Sequence, residues 1–199
     1  MQSKRVITGI DIGTNMVRVV VTEYSPGAGL PHILGVGKAE SRGLRHGYIT
    51  NIADTVRSVR SAALEAEKAA GFRIREAYLS VGGVGLEGVQ TTGAAIISRA
   101  DSEIGENDVE RAHRACEQNL PNPANKKILH TIPVEYLIDG KKVYGRPSGM
   151  RGLKLEAKCL IVTCLEQHLN DIIGAVEEAG IEPIDACASP VAASFVALT

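Results

Sequence analysis

The first forty residues carry three apolar, β-branched runs whose connections are too short for anything but antiparallel neighbours. Residues 6–12 (VITGIDI) turn through Gly13-Thr14-Asn15-Met16 into residues 17–24 (VRVVVTEY). A glycine- and proline-rich loop (SPGAGLPH) then leads to residues 33–39 (ILGVGKA). Parallel strands need a crossover of a dozen or more residues, which these links cannot supply. Runs rich in valine and isoleucine suit a pleated, half-buried surface. The chain therefore opens as a β-meander.

A helix follows. Ile52, Val56, Val59, Ala63, Ala66 and Ala70 recur at spacings of three and four, with Asn51 placed as N-cap and Gly71 at the left-handed stop. AYLSVGG is the next strand. The last third repeats the grammar: an apolar strand (KLEAKCLIVTC), a helix striped by Leu165, Leu169, Ile172, Ile173, Val176 and Ala179, and a stop at Gly180-Ile181. A short strand (IEPIDAC) and a small-residue helix with Pro190 in its first turn close the chain. The order β-β-β-α-β then α-β-α predicts an α/β (α+β) fold with a ribonuclease-H-like core, as in actin-like ATPases. Residues 84–156 form an insertion of strand-helix-strand-strand character, its helix presenting Val109, Ala112, Cys116 and Leu120 on one face. The expected division is thus 1–83 with 157–199 as the core and 84–156 as the inserted lobe.

Composition removes several function classes. Of 199 residues, 44% are hydrophobic, enough for a buried core. A net charge of −1, with two Phe, five Tyr and no Trp, leaves neither a basic footprint nor a stacking platform, so nucleic acid is not expected as a partner. Cys116, Cys159, Cys164 and Cys187 form no C-x-x-C pair and have no histidine at ligand spacing, so they read as reduced thiols, three of them in apolar runs. The start, MQSKRVITGID, has no signal-peptide core, and no apolar run approaches the ~20 residues that cross a bilayer. A membrane anchor, if the protein uses one, is expected elsewhere.

The candidate chemistry lies in the first turn. Gly13 has no Cβ, which lets an anion approach the backbone, and the N–H groups of Thr14 and Asn15 can point at phosphate oxygens. Asp11, at the strand end, can hold Mg²⁺ through water. Asp11, Gly13, Thr14 and Asn15 are therefore the candidate nucleotide-binding residues, with Asp11 also the candidate magnesium residue. Taken alone, the stretch Asp11-Ile12-Gly13-Thr14-Asn15 favours an ordinary hairpin, and it is the surrounding order of elements that points to a phosphate site. No G-x-x-x-x-G-K-[ST] loop occurs, which excludes a P-loop enzyme. Gly82-Gly83-Val84-Gly85 reads as a flexible junction between lobes.

GIDIGTNMVRVVV resembles the first phosphate motif of the actin, chaperone and sugar-kinase superfamily. VGKAESRGLRHGYITNIADTVRSVRSA, YLSVGGVGLEGVQTTGAAIIS and ILHTIPVEYLIDGKKVYGRPSGMRGLKLEAKCLIVT resemble successive segments of the FtsA family of bacterial actin-like cell-division proteins. Arg42, Gly43, His130, Pro133, Tyr136, Pro147, Gly149 and Gly152 carry that likeness, although ordinary turn and strand roles account for each of them. The resemblance implies the N-terminal half of such a protein, with subdomain 1A as the core and 1C as the insertion. It implies ATP and Mg as cofactors of the whole protein, weak or absent in this half. It implies self-association in filaments through 1C, recruitment of later division proteins through 1C, and contact with FtsZ through the other half. It also implies a cytoplasmic protein, peripheral on the membrane at the division site and attached only by a C-terminal helix outside this chain. A pilus-assembly protein of the PilM kind and an actin-like sugar kinase are the alternatives; the kinase would need a substrate-facing carboxylate that is not apparent. One departure stands out. Where related ATPases carry an acidic residue before the proline of the last helix, this chain has Ser189. A hydroxyl is a poor general base at neutral pH, so at most a slow ATPase is expected, and none in this half alone.

Overall fold

A computed structural model describes residues 5–27 and 29–198; Ala28 of the predicted loop, the first four residues and Thr199 lie outside them. Strands β1 (Arg5–Ile12), β2 (Met16–Tyr24) and β3 (His32–Glu40) form the expected meander. A small hairpin follows, β4 (Leu44–Arg45) and β5 (Tyr48–Ile49), where sequence reading had only a loop. Helix α1 (Ile52–Ala70) begins where the Asn51 side chain accepts the Asp54 N–H. It ends at Gly71, whose φ of 83° lets its N–H return to the Glu67 carbonyl. Then come β6 (Glu76–Val81), β7 (Glu87–Ile96), α2 (Glu106–Gln118), β8 (Lys126–Ile138), β9 (Lys141–Val143) and β10 (Lys154–Leu165). Helix α3 (Glu166–Glu178), β11 (Glu182–Ala188) and α4 (Ser189–Ala197) complete the chain.

These elements divide into two compact units, residues 1–85 with 165–199 and residues 86–164. In the first, five strands lie in the order β11-β6-β1-β2-β3. β1, β2 and β3 are antiparallel, while β1, β6 and β11 run parallel. This is the ribonuclease-H-like sheet. Alternation decides its faces: Ile10, Ile12, Val17, Val19, Val21, Leu79 and Val81 are buried on the side that meets Val56, Val59, Leu169, Ile172 and Val176 of α1 and α3. α1 sits unusually close to β3, because Gly37 leaves room for it: a methyl there would lie 1.9 Å from the Ala62 carbonyl oxygen. The opposite face is more open, with Tyr78 43% and Ile184 46% exposed. α4 touches β6 and β11 but has no buried residue.

The second unit is a four-stranded sheet, β7-β10-β8-β9, with α2 against it. Its core joins Ala95, Ile97, Ile104, Ala112, Cys116, Leu155, Cys159 and Ile161. Gly93 repeats the device of Gly37, since a methyl there would meet the Cys116 backbone nitrogen at 2.3 Å. β10 pairs with β7 from Lys154↔Ile96 to Thr163↔Glu87. The whole of β10 therefore belongs to the inserted sheet, and the chain returns to the core unit at 165 rather than 157. Periodicity identified the strand but not its partner.

Cys116, Cys159 and Cys164 are buried and Cys187 is half-buried, all as free thiols. Burial and the neighbouring Cys116 push the Cys159 thiol up to about 12, which keeps it protonated and unreactive.

Candidate functional site

β1, β6 and β11 are parallel, so their carboxyl ends lie at one edge of the sheet, the usual place for a ligand in such sheets. Asp11 stands at that edge of β1, directly opposite Ser80 of β6. The turn after it is braced internally by the Gly13 N–H donating to the Met16 carbonyl at 3.2 Å. The N–H groups of Thr14 and Asn15 take no part in that bond. A methyl on Gly13 would lie 3.1 Å from the same Met16 oxygen, so glycine is what keeps the turn this tight.

Facing the turn, an open cleft of about 410 Å³ is lined on one side by Asp11, Gly13 and Thr14. Its other walls are the His46-Gly47 hairpin tip and the Gly82-Gly83 segment after β6. Four of these wall residues are glycines, so much of the lining is bare backbone that an anion can approach closely. Asn15 does not line the cleft. Its carbonyl instead accepts the Ser41 N–H at 3.1 Å, which ties the turn to the segment leading into the hairpin.

Sequence reading missed His46-Gly47 and took Gly82-Gly83 only as a junction. Gly47 and Gly83 pack backbone to backbone: a methyl on Gly47 would sit 3.1 Å from the Gly83 Cα. Both have positive φ, 87° and 102°, which glycine alone adopts without strain. The available signal was the glycine pair itself, although nothing local says that residues 47 and 83 meet. Behind the segment, buried His168 sets its Nε2 3.2 Å from the Gly82 carbonyl and packs edge-on against Tyr48, with ring centroids 5.2 Å apart.

The Asp11 carboxylate lies 3.6 Å from the Arg18 guanidinium, with both side chains about half exposed. Among the described residues, no cluster of three His, Cys, Asp or Glu is arranged to hold a metal ion. A single carboxylate beside a glycine-lined cleft suits Mg²⁺, which keeps most of its water and takes few protein ligands. The residues present therefore fit a magnesium-bound phosphate held jointly by Asp11, the Gly13-Thr14 backbone and water. Ser189 lies at the end of β11, its hydroxyl 2.7 Å from that of Ser80 and close to Gly82.

The family described as the SHS2 domain inserted in FtsA matches residues 83–163. The cell division protein FtsA of Pseudomonas aeruginosa is 35% identical over 199 residues, covering 100% of this chain and 47% of that protein. FtsA of Bacillus subtilis is 34% identical over the same length, 44% of its own. The chain thus spans just under half the length of these relatives. Among solved structures, the PilM-PilN type IV pilus biogenesis complex aligns at a TM-score of 0.61 and 15% identity, covering 95% of this chain and 49% of the matched chain. At that identity the likeness shows the fold alone, which is actin-like with an inserted SHS2 unit.

Proposed function

Because this chain is related along its whole length to the FtsA cell-division proteins, we propose that it provides the first phosphate-binding half of an actin-like clamp. In the intact protein that clamp holds ATP and Mg²⁺ and favours a polymerising conformation. The inserted unit contacts the neighbouring protomer and later division proteins, while contact with FtsZ lies outside this chain. The protein works on the cytoplasmic face of the membrane at the division site, held there by a segment not included in these residues. Among the described residues, no helix is long and apolar enough to cross a membrane.

One observation carries the reading: the Asp11–Thr14 turn and three glycines of the opposing walls meet at the carboxyl edge of three parallel strands. Bound nucleotide and Mg²⁺ would be held by the Gly13-Thr14 backbone and Asp11, and would supply the charge that the clamp closes around. The chain's own residues do the rest. Gly13 admits the phosphate, the Thr14 N–H donates to it, and Asp11 orients the metal's water. Ser189 brings a hydroxyl bonded to Ser80 and no base, so hydrolysis is slow and binding is the useful event.

Calorimetry tests this directly. The intact protein is expected to bind Mg-ATP, and Gly13→Val to weaken it at least tenfold by filling the approach to the turn. The isolated 199-residue chain is expected to bind weakly or undetectably. Micromolar affinity in the isolated chain, or wild-type affinity in the valine variant, would overturn the half-clamp reading. The PilM alternative has only the shared fold behind it, whereas the inserted unit and identity along the whole of this chain both favour division.

A further inference from the structure

The cleft has an unusual lining for a phosphate site: no lysine or arginine contributes to it. His46 is its only side chain with an N–H donor. The residue sits at the tip of a two-residue hairpin, where Arg45 pairs with Tyr48 and Leu44 with Ile49. Both tip residues have positive φ, 52° for His46 and 87° for Gly47. Tips of this kind ordinarily carry Asn-Gly, because short polar residues and glycine tolerate that backbone. Among the described residues, the other non-glycine positions with positive φ are Ser102, Asn122, Asn125 and Asp139. All four have short polar side chains. His46 alone brings a ring to this conformation, which side chains larger than Asn or Asp adopt at a cost.

The tip is firmly anchored. The Thr50 N–H donates to the Gly43 carbonyl at 2.7 Å and the Asn51 N–H to the same oxygen at 3.1 Å. Thr55, in the first turn of α1, donates its hydroxyl to the Arg42 carbonyl at 3.3 Å. Gly47 is backed against Gly83, and Ser41 is tied to Asn15. Among the described residues, the exposed imidazole of His46 itself has no hydrogen-bond partner. A firmly held tip that lines the cleft and carries an exposed imidazole with no partner in the protein is the arrangement of a ligand contact.

We infer that His46 is a phosphate-reading residue of this cleft, donating a ring N–H to a non-bridging oxygen of the nucleotide's phosphate chain. The inference rests on the phosphate-cleft reading above. It makes the hairpin the opposite jaw to the Gly13-Thr14 turn, and it lets nucleotide phosphates bias the segment joining β3 to α1.

Two substitutions separate ring from backbone. His46→Gly keeps the positive φ without strain and removes the donor, and His46→Asn keeps the φ and replaces the donor with an amide. Calorimetry on the intact protein with Mg-ATP and with adenosine, beside a thermal melt, reads both effects. His46→Gly is expected to lower ATP affinity about tenfold, the order of one charge-assisted hydrogen bond. Adenosine binding should stay unchanged and the melting temperature should not fall, and His46→Asn should recover about half of the loss. Equal ATP affinity in His46→Gly and wild type, or an equal loss for adenosine, overturns the role of His46. Should His46→Gly melt lower, His46→Asn decides: a loss of ATP affinity at wild-type stability with adenosine binding kept supports the inference, and ATP affinity equal to wild type overturns it. If wild type binds no ATP, the cleft reading itself falls and His46 with it. If Gly13→Val abolishes binding while His46→Gly does not, only the inference about His46 falls.

Discussion

At the scale of single residues, glycine takes opposite signs in different places. Gly37 and Gly93 each lie under a helix, where a methyl would meet backbone at 1.9 Å and 2.3 Å. Backbone in the middle of a packed helix cannot step aside, so Gly37→Ala and Gly93→Ala are each expected to cost about 3 kcal/mol. Gly174, inside α3, has nothing within 4 Å of the added carbon and no unusual φ. Gly174→Ala should stabilise by about 0.5–1 kcal/mol, because alanine loses less conformational freedom in a helix. Urea unfolding of the three variants checks the signs; a neutral Gly37→Ala would mean that α1 does not approach β3 so closely. None of this was legible along the chain. The run ILGVGKA reads as a strand, and the alanines of α1 read as one helical face. That small residues meet small residues across the interface depends on contacts some 25 positions apart, which no local pattern records.

Elements were more legible than their partners. Both core helices announced themselves through period, cap and stop, because those signals are local: Asn51 does accept the Asp54 N–H, and Gly71 and Gly180 do take the left-handed turn. Helix α2 has an equally local device that sequence reading passed over. The Asp108 carboxylate accepts the Gly105 N–H at 2.9 Å and pairs with Arg111. The Gly105 bond first, and Arg111 after it, hold the Asp108 carboxyl below its ordinary value of 3.8. A lowered folded pKa means that the stabilisation is fully present above the unfolded value and is lost as pH falls through the lower, folded one. Asp108→Ala is therefore expected to cost about 1 kcal/mol at neutral pH, the usual worth of a cap. The difference from wild type should shrink only below about pH 4. Thermal melts from pH 7 to pH 3 would show this, and a constant difference across the range would remove the carboxylate from the account. The β4-β5 hairpin was illegible for the contrary reason. Two-residue strands carry no periodicity, and His-Gly is not a usual hairpin signature.

For the whole molecule, the two units have separate cores, and the second closes on itself through β7, β10, β8 and α2. Residues 86–164 are accordingly expected to fold alone, with a cooperative urea transition of about 3–5 kcal/mol, the range open to a core of this size. Dispersed amide resonances would support it; a gradual transition without fixed tertiary signals would count against it. By itself, the sequence determined the order of elements, the open meander, the presence of an insertion and the first glycine turn. These are consequences of local period and turn chemistry. Only the tertiary structure decided that β10 stays with the inserted sheet, that Gly47 backs onto Gly83, and that the His46-Gly47 tip lines the cleft beside Asp11 to Thr14. Each of those depends on which distant strands pair and how closely their backbones approach. The opening turn supplies one wall of the candidate site, and the folding of the chain brings up the others.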